Sequence, residues 1–189
     1  MTTRVLVVGA GPAGTRCALG VAKRLPGAEV TLAGAEPALP YDRVALSRYV
    51  AGAVEQEALI THSLADLSAA GVEFRAGTPV ASLDLPARRA ITASGKAIHY
   101  DWCVLATGSR AVRLPLPGAD LPGVVPWRDL AESRAMLRAA REGGPAVVIG
   151  GGLLGLEAAA GLAARGMKVT VLHAVGWPME RQLCTESGT

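Results

Sequence analysis

Two short glycine-rich segments constrain this fold more than any other feature of the sequence. The first, Gly9-Ala10-Gly11-Pro12-Ala13-Gly14, follows a valine-rich apolar run and opens a helical pattern that Pro26 and Gly27 end. The second, Gly150-Gly151-Gly152-Leu153-Leu154-Gly155, again separates an apolar run from a helical pattern. Each segment therefore predicts a strand, a tight turn and a helix. With the strand that follows, each forms a βαβ unit with a right-handed crossover.

The glycine spacing in both segments favours dinucleotide binding over a purely structural turn. Gly9 permits the tight turn, Gly11 lets the backbone approach a pyrophosphate, and Gly14 lets the helix pack closely on the strand. Pro12 and Ala13 begin the helix, whose positive N-terminal end would face the phosphates. The second segment offers the equivalent positions Gly150, Gly152, Leu153, Leu154 and Gly155.

A carboxylate after the second strand of such a unit usually binds the ribose hydroxyls. Glu36 is the candidate in the first unit, although it lies a few residues beyond the predicted strand end near Ala33, and a solvated loop glutamate is the alternative. In the second unit this position is taken by His173. The sequence therefore offers no carboxylate here that would favour NAD over NADP. His173 is either a cofactor-binding residue or a surface residue.

Composition and charge exclude several other classes of function. Half of the 189 residues are hydrophobic, and the formal charge of +3 is spread over single basic residues, so no nucleic-acid or membrane patch is expected. No signal peptide is predicted, and the apolar run Leu153 to Ala164 is too short to span a bilayer. We expect a cytoplasmic protein.

The sequence predicts no metal site and no catalytic general base. Three cysteines, Cys17, Cys103 and Cys184, lie too far apart in sequence to match a zinc motif or a local redox dithiol. The histidines are isolated at positions 62, 99 and 173.

Two dinucleotide sites in one chain imply a flavin together with a nicotinamide that delivers hydride to it. A strand predicted over residues 100–106 ends at Ala106, Thr107 and Gly108, where bare backbone can approach a bound cofactor. The predicted class is α/β: a Rossmann-like FAD-binding domain (1–114) with a small antiparallel β-meander, and an incomplete second Rossmann-like NAD(P)-binding domain (115–189).

The motifs together resemble the pyridine nucleotide–disulfide oxidoreductase superfamily. The stretch from Leu39 to Arg43, followed by Leu46-Ser47, is similar to the branch without a redox disulfide. That branch includes rubredoxin and ferredoxin reductases and the large subunit of NAD(P)H-dependent nitrite reductase. The resemblance implies that this loop lies along the flavin, with Arg43 and Ser47 as contacts. The stretches Val148–Ala159 and Met179–Leu183 most resemble the nitrite reductase large subunit.

The resemblance implies hydride transfer from NAD(P)H to FAD, then single-electron transfer to an acceptor protein or metal centre of the parent enzyme. In the nitrite reductase family an aspartate and a long continuation follow the position of Leu183, so we expect a truncated form of a longer protein. Nitrite reduction by this chain alone is not expected, because the cysteines cannot supply siroheme and iron–sulfur ligands.

Several alternatives stay open at this stage. The chain is a non-catalytic remnant that at most binds FAD, a fragment of a rubredoxin or ferredoxin reductase, or a small reductase that recruits missing elements from another chain. In a remnant we expect an uncovered strand edge and apolar surface. A homo-oligomer is also left open.

Overall fold

The structure is a computed structural model that describes residues 2–188. In chain order its elements are β1 (Arg4–Val8), α1 (Pro12–Arg24), β2 (Glu29–Ala33), α2 (Leu46–Ala51), a 3₁₀ helix (Gln56–Leu59), α3 (Leu64–Ala69), β3 (Val72–Arg75), β4 (Val80–Asp84), β5 (Arg89–Thr92), β6 (Ala97–His99), β7 (Trp102–Leu105), α4 (Leu130–Glu142), β8 (Pro145–Ile149), α5 (Leu153–Ala164), β9 (Lys168–Leu172) and α6 (Thr185–Gly188).

The contacts divide the chain into two compact units. The first comprises residues up to Asp42 together with Ile60–Ser109, and the second comprises Arg43–Leu59 together with the residues from Arg110 onward. This division differs from the domain boundary at residue 114 that the sequence suggests. Residues 43–59 group with the second unit because α2 packs on α4 and α5.

The first unit is built on a four-stranded parallel sheet in the order β3-β2-β1-β7. Helix α1 covers one face, where Val7, Ala18 and Leu32 are fully buried. The antiparallel sheet β4-β5-β6 packs on the other face, where Ala90, Ile98 and Tyr100 contact Leu6 and Val8. Since both faces of β1 are covered, its near-continuous apolar sequence has a physical reason.

Helix α1 begins and ends where its local sequence dictates. Pro12 at the first helical position loses nothing by lacking an N–H, because that N–H would have no intrahelical partner. Lys23 and Arg24 in the last turn interact favourably with the negative end of the helix dipole. The chain then turns at Gly27, which has a positive φ of 86°.

The second unit contains the parallel pair β8 and β9, joined by α5. Its core contains Met136, Leu162 and Met167, together with Val50 from α2. The two strands alternate strictly, so that Val147, Ile149 and Leu172 point to the exposed face. Helix α4 begins with a capping box in which Asp129 and Glu132 each accept a backbone N–H of the other.

The predicted α/β class is confirmed, with a Rossmann-like parallel sheet, an antiparallel meander and a second βαβ unit. Within residues 2–188, no helix is both long and apolar enough to cross a membrane. The same residues contain no cluster of His, Cys, Asp and Glu side chains suited to a metal ion.

Candidate functional site

The first glycine turn connects β1 to α1 and has no room for a side chain. Gly9 has φ +108°, and its N–H donates a hydrogen bond of 2.8 Å to the Ala33 carbonyl at the end of β2. A Cβ on Gly9 would lie 2.1 Å from the Ala106 carbonyl oxygen. Both the backbone conformation and the close approach therefore require glycine here.

Gly14 brings the start of α1 directly onto this turn. A Cβ at Gly14 would lie 1.8 Å from the Gly9 carbonyl oxygen and 3.3 Å from the Ala106 Cβ. Gly11 is the N-cap, with extended backbone and no side chain to occupy the helix end. The first-turn N–H groups at Ala13 and Gly14 have no intrahelical acceptor, so this end of α1 suits an anionic pyrophosphate.

Ala106 and Thr107 lie beside the same turn, and Gly108 follows them. The Ala106 N–H donates to the Val8 carbonyl at 2.8 Å, which continues the pairing of β7 with β1. Gly108 then turns the chain with φ +69°. The segment thus supplies bare backbone at the carboxyl edge of the sheet, where α/β folds bind their ligands.

Glu36 lies in the loop after β2 and is held there by its neighbours. Its carboxylate accepts a 2.7 Å hydrogen bond from the hydroxyl of the buried Tyr41, and its carbonyl accepts the Gly77 N–H at 2.9 Å. The side chain is half-buried, unlike a freely solvated loop glutamate. A carboxylate fixed near the end of β2 has the chemistry that a ribose hydroxyl needs.

Arg43 and Ser47 belong to the second compact unit. The Arg43 guanidinium donates to the Arg128 carbonyl at 3.2 Å, and the Ser47 hydroxyl donates to the Val44 carbonyl at 3.4 Å. The flavin contact that the resemblance implies for these two residues stays a prediction.

The second glycine turn, between β8 and α5, repeats the geometry of the first. Gly150 has φ +117°, and its N–H donates to the Leu172 carbonyl at 2.8 Å, as Gly9 does to Ala33. A Cβ at Gly155 would lie 1.9 Å from the Gly150 carbonyl oxygen. Gly152 is the N-cap of α5, and Leu153 and Leu154 begin the helix with exposed side chains. This cradle also fits a dinucleotide pyrophosphate.

The two turns differ in what encloses them. Where Gly9 faces the Ala106 carbonyl, a Cβ at Gly150 would meet no described atom within 4 Å. The reason is that β7 pairs with β1 in the first unit, whereas β8 pairs only with β9 among the described strands.

His173 lies directly after β9 and contacts the second turn. Its Nδ1 accepts the Gly151 N–H at 3.0 Å, and its Nε2 lies 3.1 Å from Oε2 of Glu180. Glu180 is a residue that sequence reasoning missed, because it lies well beyond the strand end in a loop with no periodic pattern. In the sequence, the Met179–Leu183 stretch indicates a family resemblance but no role for Glu180.

The cysteines take no part in either turn. Burial raises the pKa of the Cys103 thiol, which lies on β7 against the meander, so this thiol stays protonated at neutral pH. All three cysteines are free thiols.

Two glycine cradles of similar geometry, each on a Rossmann-like βαβ unit, are typical of a fold that binds two dinucleotides. Comparison with known families agrees: the model of the pyridine nucleotide-disulphide oxidoreductases matches residues 3–187. The chain belongs to this family. FAD and NAD(P)H, the cofactors that the sequence implies, are those of the family.

Individual relatives are similar over nearly the whole chain. Nitrite reductase [NAD(P)H] of Bacillus subtilis is 37% identical over 98% of this chain and 23% of its own length. Rhodocoxin reductase of Rhodococcus erythropolis is 35% identical over 95% of this chain and 42% of its own length.

Among solved structures, the ferredoxin reductase for the CYP199A2 system of Rhodopseudomonas palustris matches with a TM-score of 0.87 and 34% identity. The match covers 99% of this chain and 46% of that structure. The chain therefore spans between about a quarter and a half of the length of these relatives.

Proposed function

We propose that this chain is the dinucleotide-binding part of an FAD-dependent NAD(P)H oxidoreductase that passes electrons to a separate acceptor. The observation that carries the proposal is the repetition of one turn geometry, with the same 2.8 Å hydrogen bond from the first glycine in both units. One cradle alone would serve a single-cofactor dehydrogenase. Two cradles suit a flavin that accepts hydride from a nicotinamide and releases electrons to an acceptor.

In this proposal the first cradle binds FAD. Gly9, Gly11 and Gly14 make room for its pyrophosphate, and Pro12 and Ala13 begin the helix that faces it. Glu36 accepts a ribose hydroxyl, and the backbone of Ala106, Thr107 and Gly108 borders the cofactor. Arg43 and Ser47 are carried over from the resemblance as flavin contacts.

The second cradle binds NAD(P)H through Gly150, Gly152 and Gly155, with Leu153, Leu154 and His173 at its border. The functional domains are then 1–114 for FAD and 115–189 for NAD(P)H. The chain holds and orients the two cofactors. None of its residues is assigned as a general acid or base.

The acceptor is proposed from the relatives. The similarity to nitrite reductase [NAD(P)H] supports a metal centre of the same parent enzyme. The similarity to rhodocoxin reductase and to a ferredoxin reductase supports a small electron-transfer protein. We propose a cytoplasmic location for the protein, and a homo-oligomer is compatible with this proposal.

A flavin titration tests the first half of this proposal. The purified chain is expected to bind FAD and show a flavin absorption spectrum. Glu36→Gln should weaken FAD binding about tenfold, because the neutral amide oxygen is a weaker acceptor than the carboxylate. Glu57→Gln removes an equal charge from the 3₁₀ helix and serves as the control. A chain that retains no flavin absorption after incubation with FAD and removal of the unbound cofactor would exclude the flavoprotein function.

Anaerobic addition of NADH and NADPH tests the second half. Bleaching of the bound flavin by either nucleotide is the expected result. Bound flavin that neither nucleotide bleaches would favour the alternative, a form that binds FAD without catalysis.

A further inference from the structure

The end of β9 carries a histidine where a dinucleotide-binding unit usually has an acid, yet an acid is present nearby. The His173 Nδ1 accepts the Gly151 N–H at 3.0 Å, so this nitrogen carries a lone pair and the ring hydrogen is on Nε2. That N–H side faces Glu180, with Nε2 3.1 Å from Oε2. These two atoms do not form a hydrogen bond, so the contact is an electrostatic attraction between the ring N–H and the carboxylate. The imidazole ring of His173 thus lies between the Glu180 carboxylate and the glycine turn.

A second, independent contact brings Glu180 to the same place. The Met179 N–H donates a 2.9 Å hydrogen bond to the Gly151 carbonyl. Met179 adopts φ +60°, which is uncommon for a residue with a side chain, and this conformation turns the loop back onto the cradle. The backbone of Met179, next to Glu180, is therefore hydrogen-bonded directly to Gly151. The Glu180 carboxylate contacts Gly151 indirectly, through His173.

We propose that Glu180 is the residue that makes this site select NADH over NADPH, and that His173 is its positioning residue. The inference rests on the proposed function of the second cradle as a nicotinamide dinucleotide site. In such units an acid near the end of the second strand accepts a hydrogen bond from the adenosine ribose 2′-hydroxyl. Here that carboxylate comes from the returning loop, because the strand end itself holds His173.

Charge decides the selectivity. A ribose 2′-hydroxyl can donate to the Glu180 carboxylate, whereas a 2′-phosphate would bring like charge against it. His173 offers a phosphate no accessible donor, since its Nδ1 accepts from Gly151 and its Nε2 is buried beside Glu180. Arg181 is an adjacent cation, but its Nε lies 4.0 Å from Oε1 of Glu180. A phosphate that reached Arg181 would meet the same carboxylate.

The test measures dissociation constants of NADH and NADPH for the full 189-residue chain by calorimetry. The unmodified chain is expected to bind NADH more tightly. Glu180→Gln should narrow the NADH/NADPH affinity ratio about tenfold, mainly by improving NADPH binding, because one charge near the phosphate is removed. Glu186→Gln removes the same charge from the same terminal segment, and we expect it to leave the ratio unchanged.

The role of His173 is tested through the same ratio. His173→Ala removes the contact to Glu180 and should narrow the ratio. The amide of His173→Gln can accept from Gly151 through its oxygen and present its NH₂ group to Glu180, so this variant should preserve the ratio. Loss of folding would lower both affinities together and would not move their ratio.

The outcomes separate this inference from the proposed function. Equal binding of the two nucleotides by the unmodified chain, or an unchanged ratio in Glu180→Gln, overturns the inference and leaves the nicotinamide site standing. A preference for NADPH that disappears in Arg181→Gln also overturns it, in favour of a phosphate site at the arginine. Binding of neither nucleotide overturns the proposed function, and the inference with it. The absence of an NADH preference in the unmodified chain overturns the inference even where a variant does not fold.

Discussion

Gly14→Ala adds a single methyl group at the point where α1 meets the first glycine turn. The new Cβ would lie 1.8 Å from the Gly9 carbonyl oxygen. That oxygen is backbone, and the Gly9 residue is fixed by its hydrogen bond to Ala33 and by the neighbouring Ala106 carbonyl. Since no flexible side chain can move aside, α1 must shift along the sheet or the turn must open.

The magnitude follows from two opposing effects. Overpacking that forces a backbone shift typically destabilises a protein by about 1–3 kcal/mol. Because the contact between the new Cβ and the Gly9 carbonyl oxygen is so short, we expect a cost of about 3 kcal/mol or above. Alanine regains up to about 1 kcal/mol relative to glycine in a helix, and less in the first turn. We therefore expect the free energy of unfolding to fall by about 2–3 kcal/mol.

Gly20→Ala is the matched control, because it makes the same change in the same helix. Its new Cβ would meet only the Nη1 atom of Arg24 at 3.1 Å, the far end of a flexible side chain. This variant should gain up to about 1 kcal/mol of stability. Urea denaturation followed by circular dichroism measures both. If Gly14→Ala unfolds at the same urea concentration as Gly20→Ala, the close contact between α1 and the turn is refuted.

Four further results are expected. Gly9→Ala should destabilise the chain more than Gly150→Ala in urea denaturation: both sites have positive φ, but only the Gly9 Cβ would strike a carbonyl, at 2.1 Å. Equal losses would contradict the enclosure of the first turn by β7. Asp129→Ala should cost about 1 kcal/mol through loss of the N-cap of α4. It should also lower the pKa of Glu132, which burial and then the nearby Asp129 charge raise; an NMR titration that shows no decrease would argue against this coupling. Hydrogen bonds from Arg4 lower the pKa of Asp101 below its ordinary value of 3.8. The Asp101 carboxylate therefore stabilises the fold above pH 3.8, and this stabilisation is lost as the pH falls through the lowered pKa. Arg4→Gln should therefore flatten the acid side of the stability profile, and an unchanged acid profile would exclude the contribution. Finally, the exposed Cys184 should be alkylated before Cys103, whose pKa burial raises; mass spectrometry of a maleimide time course checks the order.

The regular elements around both turns were predictable from the sequence alone. The strand before each glycine segment, the helix after it and the strand that completes each unit are all present where the apolar periodicity predicts them. The antiparallel strands β4, β5 and β6 also follow their turn residues. The short 3₁₀ helix and α6 were not predicted, because single turns carry no periodic signal.

The candidate site was predictable in part. The residues that form each cradle are close in sequence, so their roles follow from local spacing. The neighbours of Glu36 were not predictable, since its hydrogen bond to Tyr41 depends on how the intervening loop turns. The grouping of residues 43–59 with the second compact unit is likewise not predictable from local sequence. It depends on Gly161 being small enough to approach Val50, and on Arg165 donating to the carbonyls of Tyr49 and Val50.

The pair of glycine turns, with the strands and helices that they join, follows from local sequence. The reason is that positive φ, helix starts and side-chain alternation depend on residues within a few positions of one another. The distant residues that border those turns are known only from the three-dimensional fold. They are Ala106, whose carbonyl faces Gly9, and Glu180, which a returning loop brings to His173 and so close to Gly151. These contacts arise from strand pairing and loop closure between residues far apart in sequence, which no local pattern encodes.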